Sequence, residues 1–389
     1  MRIALLSWES RYSMPCGGLA EHVTELGAAL TRLGHEVHVF SRIGPGQSVY
    51  ERIDGVHYHR CPSEAGRDLV TTVDHMCDSL FTRLHQVEAA FGTPFDIVHA
   101  HDWLCVKAMV QAKNKLDRPT VFTIHSTEYG RCGNQLANGQ SQRVRDVEWE
   151  GTFVADRIIC VSKALQREVR WLYGVPPEKT KAIYNGVDVR RFDATVDEHA
   201  VRERIAVGVD DPLILFAGRL AWQKGPDLLV ESIPGLLHYY PDAKFVFAGD
   251  GDMRGGLEDR VTDLDIGRAT RFLGCRAGAE LVDLFKTTDV VCVPSRNEPF
   301  GIVILEAWSA SRPVVVTRNG GPGEFVRHND TGCVVSDDRD SIGWGLGTAL
   351  AEREQARDWG RNGRTEAEML FTWDRIAGET ESVYAACLS

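Results

Sequence analysis

The stretch Ile3-Ala4-Leu5-Leu6, followed by Leu19, Val23, Leu26 and Leu30 and then by Gly34 and Val37-His38-Val39-Phe40, decides the fold. Four consecutive apolar residues read as a buried strand. The leucines and valine recur three or four positions apart, which places them on one face of a helix. Gly34 supplies a helix stop, and Val37 to Phe40 is a second strand. A helix between two short buried strands is a crossover, so the strands run parallel. The same alternation continues through Ile97-His99, Val121-Ile124, Ile158-Val161 and Ala182-Tyr184. It resumes with Leu213-Ala217, Phe245-Ala248, Arg271-Leu273, Val290-Val293 and Pro313-Val316. Such repetition predicts parallel sheets covered by helices on both faces.

A polar seam from Asn185 to Asp211, closed by Pro212, separates the two series. At 389 residues the chain exceeds one ordinary core, so the pattern predicts an α/β protein of two Rossmann-like, doubly wound domains. The expected domains are 1–192 and 193–372, with a final helical segment in 373–389. The formal charge of −11 argues against nucleic acid or an anionic membrane as the main partner. No apolar run approaches the roughly 18 residues that a membrane span needs. The run Ile3 to Leu6 is broken by Trp8, Glu9 and Arg11 and does not read as a secretory leader. Ten scattered cysteines without a C-x-x-C pair fit a reducing compartment, so a cytoplasmic location is expected.

Three segments carry chemistry. Gly218-Arg219-Leu220-Ala221-Trp222-Gln223-Lys224-Gly225 follows the first strand of the second series. In an open parallel sheet, ligands bind at the carboxyl ends of strands, so Arg219 and Lys224 stand where a phosphate can be held. The bland reading is a solvated turn with two ordinary basic residues. Glu298-Pro299-Phe300-Gly301-Ile302-Val303-Ile304-Leu305-Glu306 places Glu298 in a loop and Glu306 in the second turn of the following helix. A helix N-terminus offers free N–H groups to an anion, and carboxylates beside it can hold sugar hydroxyls. Cys16-Gly17-Gly18-Leu19 joins the first strand to the first helix, and its glycines permit a left-handed turn and close approach of a phosphate. It is not G-x-G-x-x-G, so a nicotinamide site is not supported.

The Glu-x7-Glu spacing resembles the signature of retaining nucleotide-sugar glycosyltransferases with the GT-B fold. Gly218 to Gly225 resembles the GRL-x-x-x-KG element of the family 4 type. His99-Ala100-His101-Asp102-Trp103 resembles the H-x-H-D-W element of glycogen and starch synthases. Asn185-Gly186-Val187-Asp188 with Phe192 resembles the close of the family's first domain, and Gly249-Asp250-Gly251 its nucleotide-side turn. Gly320-Gly321-Pro322-Gly323-Glu324 resembles the turn that follows the glutamate helix. The resemblance implies two domains facing a cleft, with residues 373–389 packing back on the first. It implies that Glu306 holds the ribose hydroxyls, and that Glu298 with the amides of Phe300 and Gly301 holds the donor sugar. Arg219 and Lys224 would neutralise the diphosphate, with Gly17, Gly18, Gly218, Gly249 and Ser295 also on the donor side. His125, in Thr123-Ile124-His125-Ser126, matches a histidine at the reaction centre. Without the family, it reads as a hydrogen-bonded cleft or core histidine.

The expected activity is metal-independent transfer, with retention, of a hexosyl and most directly a glucosyl group. The donor would be a UDP-, ADP- or GDP-sugar, with no further cofactor, and the acceptor a saccharide such as an α-glucan. No metal is expected: His99 and His101 stand at one strand end without a second His/Asp cluster. Two departures pull towards other family 4 hexosyltransferases of glycan or lipid-linked assembly. Pro15 stands where the synthases carry lysine, and Gly320-Gly321-Pro322 stands where they tend to carry Gly-Gly-Leu. A retaining glycosidase would also use two carboxylates, but hydrolysis has no use for Arg219 and Lys224. A nucleotide-sugar epimerase would release free nucleotide without needing an acceptor. A catalytically silent sugar-nucleotide-binding protein would have no need to keep Glu298, Arg219 and Lys224 intact.

Overall fold

The computed structural model describes residues 1–14 and 17–389. Pro15 and Cys16 lie outside the described residues. The chain divides into two compact units, Met1–Asn185 with Trp373–Ser389, and Gly186–Thr372. The expected seam at 192/193 therefore moves to 185/186. The physical reason is local: the Val187 N–H donates to the Phe371 carbonyl, and Phe192 packs edge-on against Phe285. These contacts tie residues 186–192 to the second core.

The first unit contains β1 (Arg2–Leu6), β2 (Glu36–Arg42), β3 (Tyr50–Ile53), β4 (Val56–Cys61), β5 (Ile97–His101), β6 (Thr120–Ile124), β7 (Arg157–Cys160) and β8 (Thr180–Ala182). Their order in the sheet is β3-β4-β2-β1-β5-β6-β7-β8, parallel throughout except for the β3–β4 hairpin. From β1 the chain first winds one way and from β5 the other, so the switch point lies between β1 and β5. The helix Gly18–Arg32 buries Val23, Leu26 and Leu30 against Ile3, Leu5, Val37 and Val39. The C-terminal helix Trp373–Leu388 joins this core through Trp373, Ile376 and Tyr384. Arg32 pairs with Asp374 beside it.

The β3–β4 hairpin did not stand out in the apolar pattern, because its residues alternate His, Tyr and Arg with few aliphatics. Its turn carried the readable signal: Asp54-Gly55, with φ of 50° and 84°, is the two-residue type that suits a hairpin. Where β2 and β4 pair, His38 Nδ1 lies 2.9 Å from His59 Nε2. Burial pushes His59 down from 6.5 to about 3 and His38 to about 4. Between pH 6.5 and about 4 the unfolded chain therefore binds protons that the folded chain refuses. Stability is present above that window and falls as the pH is lowered through it, by up to about 1.4 kcal/mol per pH unit for each imidazole. Thermal unfolding followed from pH 7 to pH 4.5 should show a falling midpoint, and His59→Phe should flatten the slope.

The second unit contains β9 (Leu213–Ala217), β10 (Lys244–Ala248), β11 (Thr270–Gly274), β12 (Val290–Val293), β13 (Val314–Thr317) and β14 (Cys333–Val335). All neighbours are parallel, in the order β11-β10-β9-β12-β13-β14. This is the doubly wound order 3-2-1-4-5-6, with its switch point between β9 and β12. Ile214, Phe216, Phe245, Phe247, Val290 and Val315 face the helices Pro226–Tyr239 and Arg339–Ala351 in one core. The short β14 went unread in the sequence because three residues carry too little period. No helix among the described residues is long and apolar enough to cross a membrane.

Candidate active site

The switch-point strands β9 and β12 deliver the two segments that the sequence singled out. After β9 the chain turns at Gly218, forms a short 3-10 turn over Trp222–Lys224, and enters the helix Pro226–Tyr239 through left-handed Gly225. After β12 it runs through Ser295 to Glu298 and into the helix Ile302–Ser309, entered through left-handed Gly301 at φ 97°. Lys224 Nζ donates to both carboxylate oxygens of Glu298, at 2.9 and 2.7 Å. Ser295 Oγ donates to the same carboxylate at 3.0 Å. Glu298 and Ser295 are buried, while Lys224 keeps one edge open. Arg219 is exposed and has no side-chain partner among the described residues. Glu306 is half-buried in the second turn of its helix.

The two loops are held together by contacts that the sequence did not reveal. The carbonyl of Gln223 accepts the backbone N–H of Arg296 at 2.9 Å. The Arg296 guanidinium forks onto the Asp227 carboxylate at 2.8 and 2.6 Å and lies 4.9 Å from the Trp222 ring centre. An aspartate in the first turn of the helix after Lys-Gly-Pro is the signal that could have pointed to this strut.

Several loop glycines meet a steric need of the protein's own backbone. A Cβ on Gly249 would lie 1.8 Å from the Gly218 carbonyl oxygen, and one on Gly225 would lie 2.1 Å from the Pro294 carbonyl oxygen. One on Gly320, which has φ 89°, would lie 2.1 Å from the Glu298 carbonyl oxygen. Close approach of loop backbone to loop backbone is thus the observed need at these positions. Gly17 has extended backbone, φ −179°, and precedes the helix that Gly18 begins, so the left-handed freedom of a glycine pair is not used there. The side chain of Phe300 is buried against Phe325 and Phe371, which leaves its backbone as the part able to meet a ligand.

In the first unit, β5 and β6 deliver His99, His101 and His125. His99 is wholly buried, with Nδ1 2.7 Å from the Tyr384 hydroxyl and Nε2 2.6 Å from Thr123 Oγ1. It fastens the C-terminal helix to the sheet. Asp102 adopts φ 57°, an uncommon conformation, and its carboxylate accepts the His125 backbone N–H at 2.8 Å. His101 Nδ1 lies 3.2 Å from His125 Nε2. Arg131 donates to the Ser126 carbonyl and to buried Glu148, bracing the same loop. Burial drives the His125 imidazole down to about 3, and holds His22, His99 and His101 well below 6.5. All four rings are neutral at physiological pH.

One expectation is corrected here. The strand end is not without further histidines. The helix Gly18–Arg32 brings His22 to ring-centre distances of 5.2 Å from His101 and 4.5 Å from His125. Its Nδ1 lies 2.8 Å from Asn185 Oδ1, so the Asn-Gly at the end of the first unit orients this ring. A histidine 77 positions or more from the others in sequence gives no local signal of this meeting.

Residues 16–191 match the family described as Glycosyltransferase Family 4, and residues 197–366 the family described as Glycosyl transferases group 1. An uncharacterized glycosyltransferase of Methanocaldococcus jannaschii is 37% identical, over 99% of this chain and 98% of that one. A glycogen synthase of Mycobacterium tuberculosis is 31% identical over 99% of this chain and 95% of its own length. Among solved structures, a sucrose-phosphate synthase from Thermosynechococcus elongatus superposes with a TM-score of 0.83 at 24% identity, over 99% and 98% of the two chains. The chain therefore belongs to the family 4, group 1 glycosyltransferases, and its two parallel-sheet domains are those of the GT-B fold.

Proposed function

We propose that this glycosyltransferase moves a glucosyl group from a nucleoside diphosphate glucose, with retention at the anomeric carbon, to a saccharide acceptor of the α-glucan type. The observation that carries the reading is the Lys224–Glu298 pair at the β9/β12 switch point, with exposed Arg219 in the same loop. A diphosphate arriving there meets two cations, and Lys224 can exchange its carboxylate partner for phosphate oxygen. That exchange frees Glu298 to accept from a sugar hydroxyl. Glu306, in the second turn of its helix, takes the ribose hydroxyls, with the amides of Phe300 and Gly301 on the donor sugar. His125 stays neutral and serves as a hydrogen-bonding group at the sugar. Gly17 and Gly18 stand at a helix N-terminus, a favourable place for phosphate. The leaving diphosphate takes the acceptor proton on the face it vacates, because no protein nucleophile is evident. A cytoplasmic location accords with nucleotide-sugar use.

A second reading is a family 4 hexosyltransferase acting on a different acceptor. Pro322, which starts the helix Pro322–Phe325 where the synthases tend to carry leucine, favours it. Incubation with UDP-glucose, ADP-glucose or GDP-mannose, with and without maltooligosaccharides, tests both. Lengthened chains with retained configuration are expected from a glucose donor. Consumption of GDP-mannose alone would remove the glucan reading and keep the transferase. Nucleotide release without any acceptor would favour an epimerase, and cleavage of the oligosaccharides a glycosidase.

A further inference from the structure

We propose that His22, His101 and His125 form a binding site in the first unit for one divalent transition-metal ion of the zinc class. Each ring offers a nitrogen, and these ligand atoms all lie within 4.8 Å of one another. His22 Nε2 is buried with no hydrogen-bond partner among the described residues. For His22 the tautomer follows from its neighbour. Asn185 Oδ1 accepts at 2.8 Å, so Nδ1 carries the proton and Nε2 is a bare lone pair. A buried lone pair without a donor costs free energy, and a metal ion is a group that can take it. The Asn185 contact is also the kind of outer hydrogen bond that orients a ligating imidazole.

The chemistry suits a borderline-soft cation. Neutral imidazoles are zinc-class ligands, whereas magnesium and calcium prefer oxygen. A tetrahedral ion with nitrogen ligands at roughly 2.0–2.1 Å sets them about 3.3 Å apart, so the widest pair must close by at most about 1.5 Å. His101 Nδ1 and His125 Nε2, the facing nitrogens of those two rings, already lie 3.2 Å apart. His125 is the ring that reaches the surface, which gives the ion a way in and leaves its remaining positions to water.

The other histidine cluster, Glu36–His38–His57, lacks this feature. Both nitrogens of His38 are engaged, Nδ1 with His59 and Nε2 with Glu36 at 2.8 Å. It serves as the internal control.

An ion on His125 would occupy the imidazole assigned to the reacting sugar, so it should inhibit transfer. This consequence rests on the transferase reading; the binding does not. The test uses the full chain, stripped with chelator and titrated with Co²⁺ as the visible probe and Zn²⁺ as competitor. One Co²⁺ per chain with the intense visible bands of a four- or five-coordinate site, erased by Zn²⁺, is expected. His22→Gln and His101→Gln should weaken binding roughly a hundredfold or more, and His38→Gln should leave it unchanged. In the unsubstituted chain, Zn²⁺ should shift the ring nitrogen resonances of three histidines, a readout that needs no variant to fold. Failure to retain Co²⁺, or binding lost in His38→Gln and kept in His22→Gln, overturns the site. If the ion binds and transfer is unaffected, the site stands and the placement of His125 at the reaction centre falls.

Discussion

Lys224→Ala is expected to lower kcat by roughly 10²–10³, the loss found when one preorganised charge-stabilising group is removed, about 2.7–4 kcal/mol. The ammonium is held in place before any donor arrives, because Glu298 grips it at 2.7 Å and Ser295 fixes Glu298 in turn. A diphosphate that develops charge as it leaves thus meets a cation already in place, which need only exchange its carboxylate partner for phosphate oxygen. The same substitution leaves the buried Glu298 carboxylate with Ser295 as its remaining side-chain donor in the hydrogen bonds above. That should destabilise the second unit by about 1–3 kcal/mol, less than for a wholly buried pair, because Lys224 is one-quarter exposed. Adding Glu298→Ala should restore much of the stability and none of the activity. Steady-state kinetics and denaturant unfolding of the two single variants and the double variant check both parts. Cation stabilisation by Arg219 and Lys224 also predicts that transfer persists in EDTA. Activity lost in EDTA and restored by Mn²⁺ would sink this account of the leaving group.

Gly320→Ala should cost the second unit about 2–4 kcal/mol and most of its activity, although residue 320 carries no chemistry. At φ 89° a side chain is strained, and its Cβ would sit 2.1 Å from the Glu298 carbonyl oxygen. That oxygen also accepts the Gly321 N–H at 2.8 Å, so the turn and the glutamate loop cannot separate without losing this bond. Relieving the clash separates the turn at residue 320 from the Glu298 backbone and so displaces Glu298 relative to Lys224. A displacement of about 1 Å in a positioning group can cost roughly 10²-fold in rate. Gly256→Ala, in the helix Arg254–Asp263 where an added Cβ meets nothing within 4 Å, is the matched control. It should be neutral or stabilising by about 0.5–1 kcal/mol. Equal behaviour of the two variants in unfolding and activity assays would show that the close approach of the Glu298 carbonyl to Gly320 does not position Glu298.

The particular elements show why some of this was legible and some was not. The strand Leu213–Ala217 could be read from the chain as an unbroken apolar run, and the helix Gly18–Arg32 because Val23, Leu26 and Leu30 recur at the helix period. Period is a local property, fixed by which face of an element meets a core. The strand Cys333–Val335 is too short to show one, and the hairpin at Asp54-Gly55 declared itself only by its turn. Glu298, Lys224 and Arg219 were likewise visible as residue types at strand ends, since the carboxyl end of a parallel strand is where its loop can reach a ligand.

What the sequence determined by itself was therefore the two-sheet architecture and the candidate segments that flank it. The tertiary structure alone decided which of those segments touch. The salt bridge between residues 74 positions apart and the fork of Arg296 on Asp227 depend on β9 and β12 becoming neighbours. The meeting of His22 with His101 and His125 depends likewise on the first helix packing on the sheet where its first turns reach the ends of β5 and β6. The roles of Gly249 and Gly320 depend on which carbonyl lies opposite an absent side chain. None of these pairings leaves a trace in local periodicity, because each is settled by packing between elements distant along the chain.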